Sequence, residues 1–253
     1  MNVHGIKAIY RFEMARWGRT LWQSLVAPVI TTSLYFLVFG SAIGSRMSDM
    51  AGIDYGSFIV PGLILLSVLT QAIMNASFGI YFPKFTGTIY ELLSAPISPI
   101  ETVIAYVGAA ASKAVLLALV TLATATLFVT VTIDHPILML IFLVAISIGF
   151  CLLGFAIGIW AQNFEQLQVV PLLVITPLTF LGGVFYSVTS IGEPWRTVTH
   201  LNPILYLVSG YRWTFFGITD VPLWTSVAVM AAAIALPMTI ITIMFRTGYR
   251  LKT

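Results

Sequence analysis

Long apolar segments alternate with short polar ones along the 253 residues of this chain. An α-helix needs roughly 20 apolar residues to cross about 30 Å of hydrocarbon. Six segments reach that length, at residues 21–43, 57–80, 114–133, 137–160, 168–187 and 223–245. The pattern therefore predicts an all-α integral membrane protein with six transmembrane helices.

Residues 1–20 show the pattern of an amphipathic helix rather than that of a span. At 100° per residue, the apolar positions fall on one arc and the arginines lie off it. The arc consists of Ile6, Tyr10, Met14, Trp17 and Leu21. Such a helix lies in the cytoplasmic interface of a membrane. It either anchors and orients the first span or also contacts a cytoplasmic partner, and the pattern leaves both roles open.

Charged residues make up 8% of the chain and hydrophobic residues 59%, which supports a membrane protein, and none of the charges falls in a predicted span. If both termini are cytoplasmic, nine Lys and Arg residues lie inside and three outside, a clear positive-inside asymmetry. The inside residues are Lys7, Arg11, Arg16, Arg19, Lys84, Lys113, Arg246, Arg250 and Lys252, and the outside ones are Arg46, Arg196 and Arg212. The net charge of +3 thus reflects topology and requires no nucleic-acid partner.

The stretch "KFTGTIYELLSAPISPIE" interrupts the apolar pattern between the second and third spans. It belongs to a cytoplasmic loop that we expect to cover residues 81–113. Ser98 and Glu101 fit a capping box, with Pro99 at the first helical position, so a helix should begin there and run toward Lys113. We expect Lys113 to extend its ammonium group to the head-group level.

The segment 188–222, before the last span, mixes aromatic and apolar residues with Gly, Pro and polar groups. Residues 201–217 are apolar enough to enter a membrane but too interrupted and short to cross it, which predicts an outer re-entrant or interfacial hairpin. Asn202 and Pro203 are among its candidate residues, and four aromatic residues would anchor it at the interface. These are Trp195, Tyr206, Tyr211 and Trp213.

The chemistry that the chain lacks narrows its function. Without ionisable groups in the spans, we expect no coupling to protons or sodium. The phosphate-binding pattern G-x-x-x-x-G-K-[ST] is missing, so the chain should not hydrolyse ATP itself, and we predict no cofactor or metal within it. The chain is then either a transport subunit driven by a separate ATPase, or a passive six-helix channel or other ATP-independent transporter.

Two polar residues of the second predicted span share one helix face. Gln71 and Asn75 lie four residues apart and could form hydrogen bonds between helices or contact a substrate. Together with Phe180, Phe185 and Tyr186 they are our candidates for a pathway that contacts an amphipathic substrate. Gly154 and Gly158 form a small-x-x-x-small pair, which indicates close helix packing.

The polar stretch also carries a recognisable motif. Its Gly87, Thr88, Leu92, Leu93 and Pro96 match the pattern G-T-x-x-x-L-L-x-x-P, with an acid, Glu91, between them and a basic residue displaced to Lys84. Five more stretches occur in a matching order: "FGSAIGSRMSDM", "FIVPGLILLSV", "TPLTFLGGVFYSVTSI", "HLNPILYLVSGYRW" and "GITDVPL". The chain resembles the ABC-2 family of ABC-exporter membrane subunits, and within it the YadH-type permeases, a group similar to the nodulation-factor exporters.

This resemblance implies an ABC-2 exporter fold that occupies residues 1–253 as a single transmembrane domain of the bacterial inner membrane. Its parts would be an interfacial helix (1–20), spans one and two (21–80), a cytoplasmic coupling loop (81–113), spans three to five (114–187), the outer hairpin (188–222), span six (223–245) and a basic cytoplasmic tail (246–253).

The same resemblance implies how the chain works. A homodimer in the lipid bilayer would pair with two copies of a separate ABC ATPase, which binds ATP and Mg. The motif residues would form the coupling helix that docks on this ATPase, and the outer hairpin would cap the pathway. The substrate would be amphipathic, such as a drug, a lipid or a glycolipid. Without the resemblance, the loop could also be an interfacial helix that merely joins two spans.

Overall fold

The computed structural model describes residues 2–43, 50 and 52–250, and these are nearly all helical. No strand occurs among them beyond an isolated bridge between Met50 and Ile53. Arg46, counted above as an outside charge, and Lys252, counted as an inside one, lie outside the described residues. The helices are α1 (Val3–Gly18), α2 (Leu21–Tyr35, continued by π-helical turns Phe36–Ile43), α3 (Tyr55–Phe58), α4 (Val60–Thr86), α5 (Ile89–Ser94), α6 (Pro99–Ala125), α7 (Pro136–Trp160), α8 (Phe164–Val169), α9 (Thr176–Phe180), α10 (Trp195–His200), α11 (Pro203–Phe216) and α12 (Leu223–Thr247).

Within the described part of the chain, five helices are long and apolar enough to cross a membrane. They are Leu21–Gly40, Tyr55–Thr86, Pro99–Ala125, Pro136–Trp160 and Leu223–Thr247. The fifth predicted span, 168–187, is instead a shorter apolar helix, Phe164–Phe180. Pro171 and Pro177 lie in this stretch, and the π-helical turns Val170–Ile175 separate α8 from α9.

The third predicted span, 114–133, is shifted relative to the helix. The capping box fixes the start of α6 at Ser98, as the sequence predicts, and α6 ends at Ala125. The second half of α6 therefore supplies the apolar residues, while 126–133 leave the helix. The expected loop 81–113 is correspondingly short, because α4 continues to Thr86 and only residues 87–98 separate α4 from α6.

Helix α4 occupies the centre of the molecule and packs between α6 and α7. In its most apolar window 72% of the residues are buried, against 11% for the first spanning helix and 17% for α12. A helix that is apolar on every side is typical of such a central position. The first and last spanning helices consequently leave most of their apolar side chains partly or fully exposed on the outside of this single chain.

Two glycines allow α7 to approach α4 closely. A Cβ atom on Gly154 would lie 2.4 Å from the carbonyl oxygen of Ile73, and one on Gly158 would lie 2.4 Å from that of Ser77. Both distances are too short for any side chain to be added without moving backbone. The close packing indicated by the small-x-x-x-small pair is therefore confirmed, and it joins α4 to α7.

Candidate functional site

Residues 87–98, which we call the polar segment, form a sharp and well-defined turn between α4 and α6. Gly87 ends α4 in the left-handed region, with φ +80, a conformation that glycine adopts without strain. The short helix α5 follows, and Ala95 then extends the chain toward the capping box of Ser98 and Glu101. Defined caps at both ends hold the orientation of α5 relative to the two long helices.

The polar segment has an inner face and an outer face. Ile89 is 2% exposed, and Leu92 packs partly buried against the main hydrophobic core. On the other side Tyr90 is 46% exposed, Leu93 is 40% exposed and Glu91 lies at the surface. Leu92 is thus turned toward the core beside Ile89 while Leu93 lies at the surface, and contact of both leucines with a partner stays a prediction.

The remaining motif residues also separate by exposure. Gly87, Thr88 and Pro96 are exposed. Lys84 is buried, and its Nζ donates hydrogen bonds to the carbonyl oxygens of Ile159, at 2.6 Å, and Ala161, at 2.9 Å. A cation at these carbonyls satisfies the C-terminal end of α7 and matches its dipole. Lys84 therefore joins α4 to α7 and does not contribute to the exposed surface of the polar segment.

Helix α1 holds the far end of the polar segment. The backbone nitrogen of Asn2 donates to Glu101 Oε1 at 2.5 Å, and Asn2 Nδ2 donates to the Pro96 carbonyl at 3.2 Å. Gly5 lies so close to Ile97 that a Cβ atom would approach the Ile97 side chain to 2.7 Å. The contact of α1 is thus with the chain's own polar segment as well as with α6.

Along its length α1 runs beside α6 in the same direction. The Tyr10 hydroxyl donates to Ser112 at 3.0 Å. Ser112 lies eleven residues further along α6 than Glu101, which Asn2 contacts. That distance along a helix is about 16 Å. The apolar arc predicted for α1 therefore covers the first half of α6, and α1 does not lie as an isolated interfacial helix.

Glu13 is the most buried residue of α1, at 2% exposure. Its Oε2 accepts from Lys113 Nζ at 3.1 Å and from Arg16 Nη2 at 2.7 Å. Lys113 is itself only 3% exposed, so the expectation that it reaches the head groups is wrong. Because α6 begins at Pro99, Lys113 also lies inside a helix long enough to span, contrary to the expectation that no span contains a charge.

Sequence reasoning missed Glu13, although its position carried a signal. Glu13 lies three residues after Tyr10 and four before Trp17, which places it on the apolar arc of α1. An acid on an apolar helix face requires a buried cation, because an unpaired buried charge is costly. The signal could not identify Lys113 as that cation, since the pair joins residues 100 positions apart.

Two adjoining clefts lie on the face of α4 that carries Gln71. The inner cleft, of about 240 Å³, is lined by Trp17, Gln23, Ser24, Gln71, Asn75, Lys113 and Leu117. The outer cleft, of about 280 Å³, is lined by Ala27, Pro28, Thr31, Tyr35, Leu66, Ser67, Thr70, Gln71, Thr176 and Phe180. Gln71 borders both clefts, so they adjoin at this residue, and we call the two clefts together the groove.

The predicted pathway residues fall partly on this groove. Gln71, Asn75 and Phe180 line it. Phe185 lies beside it and stacks on Phe180, with 5.3 Å between the ring centroids. Tyr186 donates its hydroxyl to the Leu181 carbonyl at 2.8 Å and is not among the lining residues.

The hydrogen bond of Asn75 bears on the alternatives left open for it. Asn75 Nδ2 donates to the Gln71 carbonyl at 2.8 Å within the same helix. This bond does not join two helices, so the packing role that the sequence suggested for the pair does not describe this contact of Asn75.

Residues 188–222 fold as two helices joined at Leu201 and Asn202. The Asn202 side chain caps α11 by accepting from the Ile204 nitrogen at 3.0 Å, and its Nδ2 donates to the Leu178 carbonyl at 2.5 Å. Pro203 is the first residue of α11. Asn202 and Pro203 therefore begin α11, and Asn202 attaches this end of the helix to α9.

The aromatic residues of this region differ in position. Trp195 is 63% exposed, whereas Tyr206 and Trp213 are partly buried. The Trp213 ring stacks on His135, with 4.6 Å between the ring centroids. Tyr211 is fully buried at 0% exposure. The expectation that Tyr211 is an interface anchor is wrong, because its face of α11 packs against the core rather than outward.

Arg212, beside Tyr211, is buried and connects three parts of the chain. Its Nη1 donates to Asp220 Oδ2 at 3.0 Å, its Nη2 donates to the Gly183 carbonyl at 2.5 Å, and its guanidinium lies 3.9 Å from the centroid of the Phe58 ring. Burial lowers the pKa of Arg212 to about 10, while the Asp220 carboxylate acts in the opposite direction. The guanidinium stays charged at neutral pH and fixes α11 to the loop after α9.

Comparisons with known proteins agree with this architecture. A family profile described as "ABC-2 type transporter" matches residues 4–216, most of the chain. The chain belongs to the ABC-2 transporter family. It is 41% identical, over 229 residues and 90% of both chains, to the inner membrane transport permease YadH of Escherichia coli (strain K12).

More distant relatives are 22% identical to this ABC-2 family member. One is nodulation protein J of Neorhizobium galegae, with 83% of this chain and 80% of that protein covered. Another is nodulation protein J of Rhizobium leguminosarum bv. viciae, with 94% of this chain and 93% of that protein covered. The resemblance inferred from the sequence motifs is confirmed.

Family membership fixes the general role of the chain. It is a membrane subunit of an ABC transporter, a multi-pass protein of the bacterial inner membrane, and it works with a partner ATPase. It is a transport subunit rather than a catalytic enzyme.

Proposed function

We propose that this chain is the permease of an ATP-driven exporter and that the outer face of the polar segment docks on the ATPase. Exposure of Glu91 and Leu93 on a helix whose opposite face is fixed to the permease is the observation that carries the proposal. A carboxylate can form a charge-assisted hydrogen bond, and an exposed leucine beside it can fill an apolar groove. We leave Lys84 and Leu92 out of this docking surface.

The connections of the polar segment suggest how ATPase closure would reach the membrane. Ile89 and Leu92 attach α5 to the core, and four residues separate the end of α5 from the start of α6. Asn2 holds both the segment and Glu101, so α1 would move with it. In our proposal a displacement of α5 is transmitted to α4, α6 and α1 as one body.

We infer an assembly of two permease copies and two ATPase copies. The exposed apolar surfaces of the first and last spanning helices need lipid or a second copy to cover them. In our proposal the groove of one permease copy faces that of the second copy across the homodimer, and the two form the pathway. Each groove combines amide side chains with aromatic rings, which suits an amphipathic substrate. Helices α10 and α11 would be a re-entrant hairpin that caps this pathway from outside.

In the proposed topology both termini and the polar segment are cytoplasmic, and Phe164–Phe180 with its following turn serves as the fifth crossing. Labelling of introduced cysteines tests this topology. A Glu91→Cys variant should react with a membrane-impermeant maleimide only from the cytoplasmic side, and a Trp195→Cys variant only from outside. The native Cys151 is buried and should serve as an unreactive background. Reaction of Glu91→Cys from outside would refute docking at this segment.

Coupling requires its own measurement, because a correct topology would also suit a passive channel. The permease and its copurifying ATPase should be reconstituted together in liposomes. Substrate export that depends on ATP supports the proposal. Flux that continues equally without the ATPase would instead support the passive alternative.

A further inference from the structure

The contact between α1 and α6 contains more positive than negative charge. Glu13 Oε2 accepts from both Lys113 and Arg16, so one carboxylate serves two cations and the group carries a net charge of about +1. Lys113 and Glu13 are each only 3% exposed at their side chains. The Arg16 side chain is 26% exposed, so water offsets part of this excess charge, and an anion bound beside Lys113 would offset the rest.

Lys113 also has spare hydrogen-bonding capacity. An ammonium group has three donors. Among the described residues, one hydrogen bond of Lys113 is found, the bond to Glu13 Oε2 at 3.1 Å. Glu13 Oε1 is buried and has no partner within residues 2–43, 50 and 52–250. The charge group is therefore less fully satisfied than a purely structural ion pair would be.

The ammonium side of this group borders the inner cleft. Lys113 lines the cleft from α6, Gln71 and Asn75 line it from α4, and Gln23 and Ser24 line it from α2. These neighbours supply amide and hydroxyl groups that can donate to an oxyanion. No Asp or Glu is among the described residues that line the cleft, so its wall offers an anion one cation and no opposing carboxylate.

The outer cleft is lined by both polar and apolar residues, and its apolar and aromatic side chains lie next to the polar inner cleft. It shares Gln71 with the inner cleft and is bordered by Tyr35, Leu66 and Phe180. A ligand that spans both clefts would need a negatively charged head group and an apolar body. A small inorganic anion would leave the outer cleft unused.

We propose that the inner cleft binds the anionic head group of the transported amphiphile, a phosphate or carboxylate, with Lys113 as its charged ligand. This inference rests on the proposed export function and adds the charge of the substrate. Gln71 and Asn75 orient the head group by hydrogen bonding, and Glu13 positions Lys113 from the opposite side.

Binding to the full-length permease in nanodiscs tests the proposal without the ATPase. Dodecyl phosphate is the probe, dodecyltrimethylammonium is the cationic comparison, and inorganic phosphate tests the anion alone. Dodecyl phosphate should bind at least tenfold more tightly than either of the others. Equal affinity for inorganic phosphate would overturn the assignment of an amphiphile, and equal affinity for the cationic detergent would overturn the anionic site.

Charge substitutions with opposite expected signs separate binding from folding. Lys113→Gln should weaken dodecyl phosphate binding at least tenfold, whereas Lys113→Arg should retain most of it. Glu13→Gln raises the net charge of the group and should strengthen binding severalfold. Lys7→Gln removes a charge from an exposed position of the same helix and serves as the matched control. Weaker binding in both Glu13→Gln and Lys113→Gln would show a structural role and overturn the proposal.

Failure of the inference can be distinguished from failure of the proposed function. ATP-dependent export without charge-dependent binding of dodecyl phosphate would retain the exporter and reject the anionic cleft. Charge-dependent binding in a permease whose transport does not respond to ATP would retain the cleft and reject the exporter.

Discussion

The two faces of the polar segment predict two different consequences of similar mutations. Glu91→Ala and Leu93→Ala alter the outer face, and Leu92→Ala alters the inner face. The outer-face changes should weaken ATPase docking and leave the isolated permease folded. The inner-face change should destabilise the permease itself, because Leu92 packs against the core.

The magnitudes follow from exposure and charge. Full burial of a leucine side chain contributes about 1.5–3 kcal/mol. Because 40% of the Leu93 surface is exposed, its burial on docking can contribute about 1 kcal/mol to the binding free energy. A hydrogen bond to a charged group contributes about 1.5–3 kcal/mol. Loss of both in Glu91→Ala with Leu93→Ala should cost about 2–4 kcal/mol for each docking segment, roughly 30- to 700-fold in affinity.

Leu92→Ala serves as the comparison. Truncation of buried leucines costs about 2–5 kcal/mol, and a partly buried one should cost about 1–2 kcal/mol of permease stability. The assay is the dissociation constant of the purified ATPase for permease in nanodiscs, together with thermal unfolding of the permease alone. If the outer-face double variant binds the ATPase normally, or unfolds at a temperature as low as the inner-face variant does, the assignment of the two faces is wrong.

Two further predictions concern the framework around the site. Gly158→Val should lower the free energy of unfolding by about 1–3 kcal/mol or more, because any Cβ meets the Ser77 carbonyl. A thermal unfolding scan should show this loss. The control, Gly192→Ala, has open space for its Cβ and should unfold as the wild type does. Arg212→Met leaves the largely buried Asp220 carboxylate without its cation and should lower the free energy of unfolding by about 3–5 kcal/mol. Adding Asp220→Asn should recover part of this loss. An unchanged unfolding temperature in the single variant would show that this pair does not hold α11.

The sequence by itself determined the features that depend on neighbouring residues. Apolar segment lengths predicted helices that can cross a membrane, and the spacing of Ser98 and Glu101 placed the start of α6 correctly. Gly87 was singled out by the motif and ends α4. Helix caps and helix-forming segments follow from groups within a few positions of one another, so one sequence suffices to find them.

Tertiary structure alone decided which side chains meet. Hydropathy could not reveal that Lys84 binds the end of α7, that Leu92 turns inward while Leu93 remains exposed, or that Glu13 reaches Lys113. Each of these outcomes depends on how helices far apart in sequence are rotated and packed against one another. A charged residue near a span boundary looks the same in sequence whether it faces water, lipid or a buried partner, and only the packed structure distinguishes these surroundings.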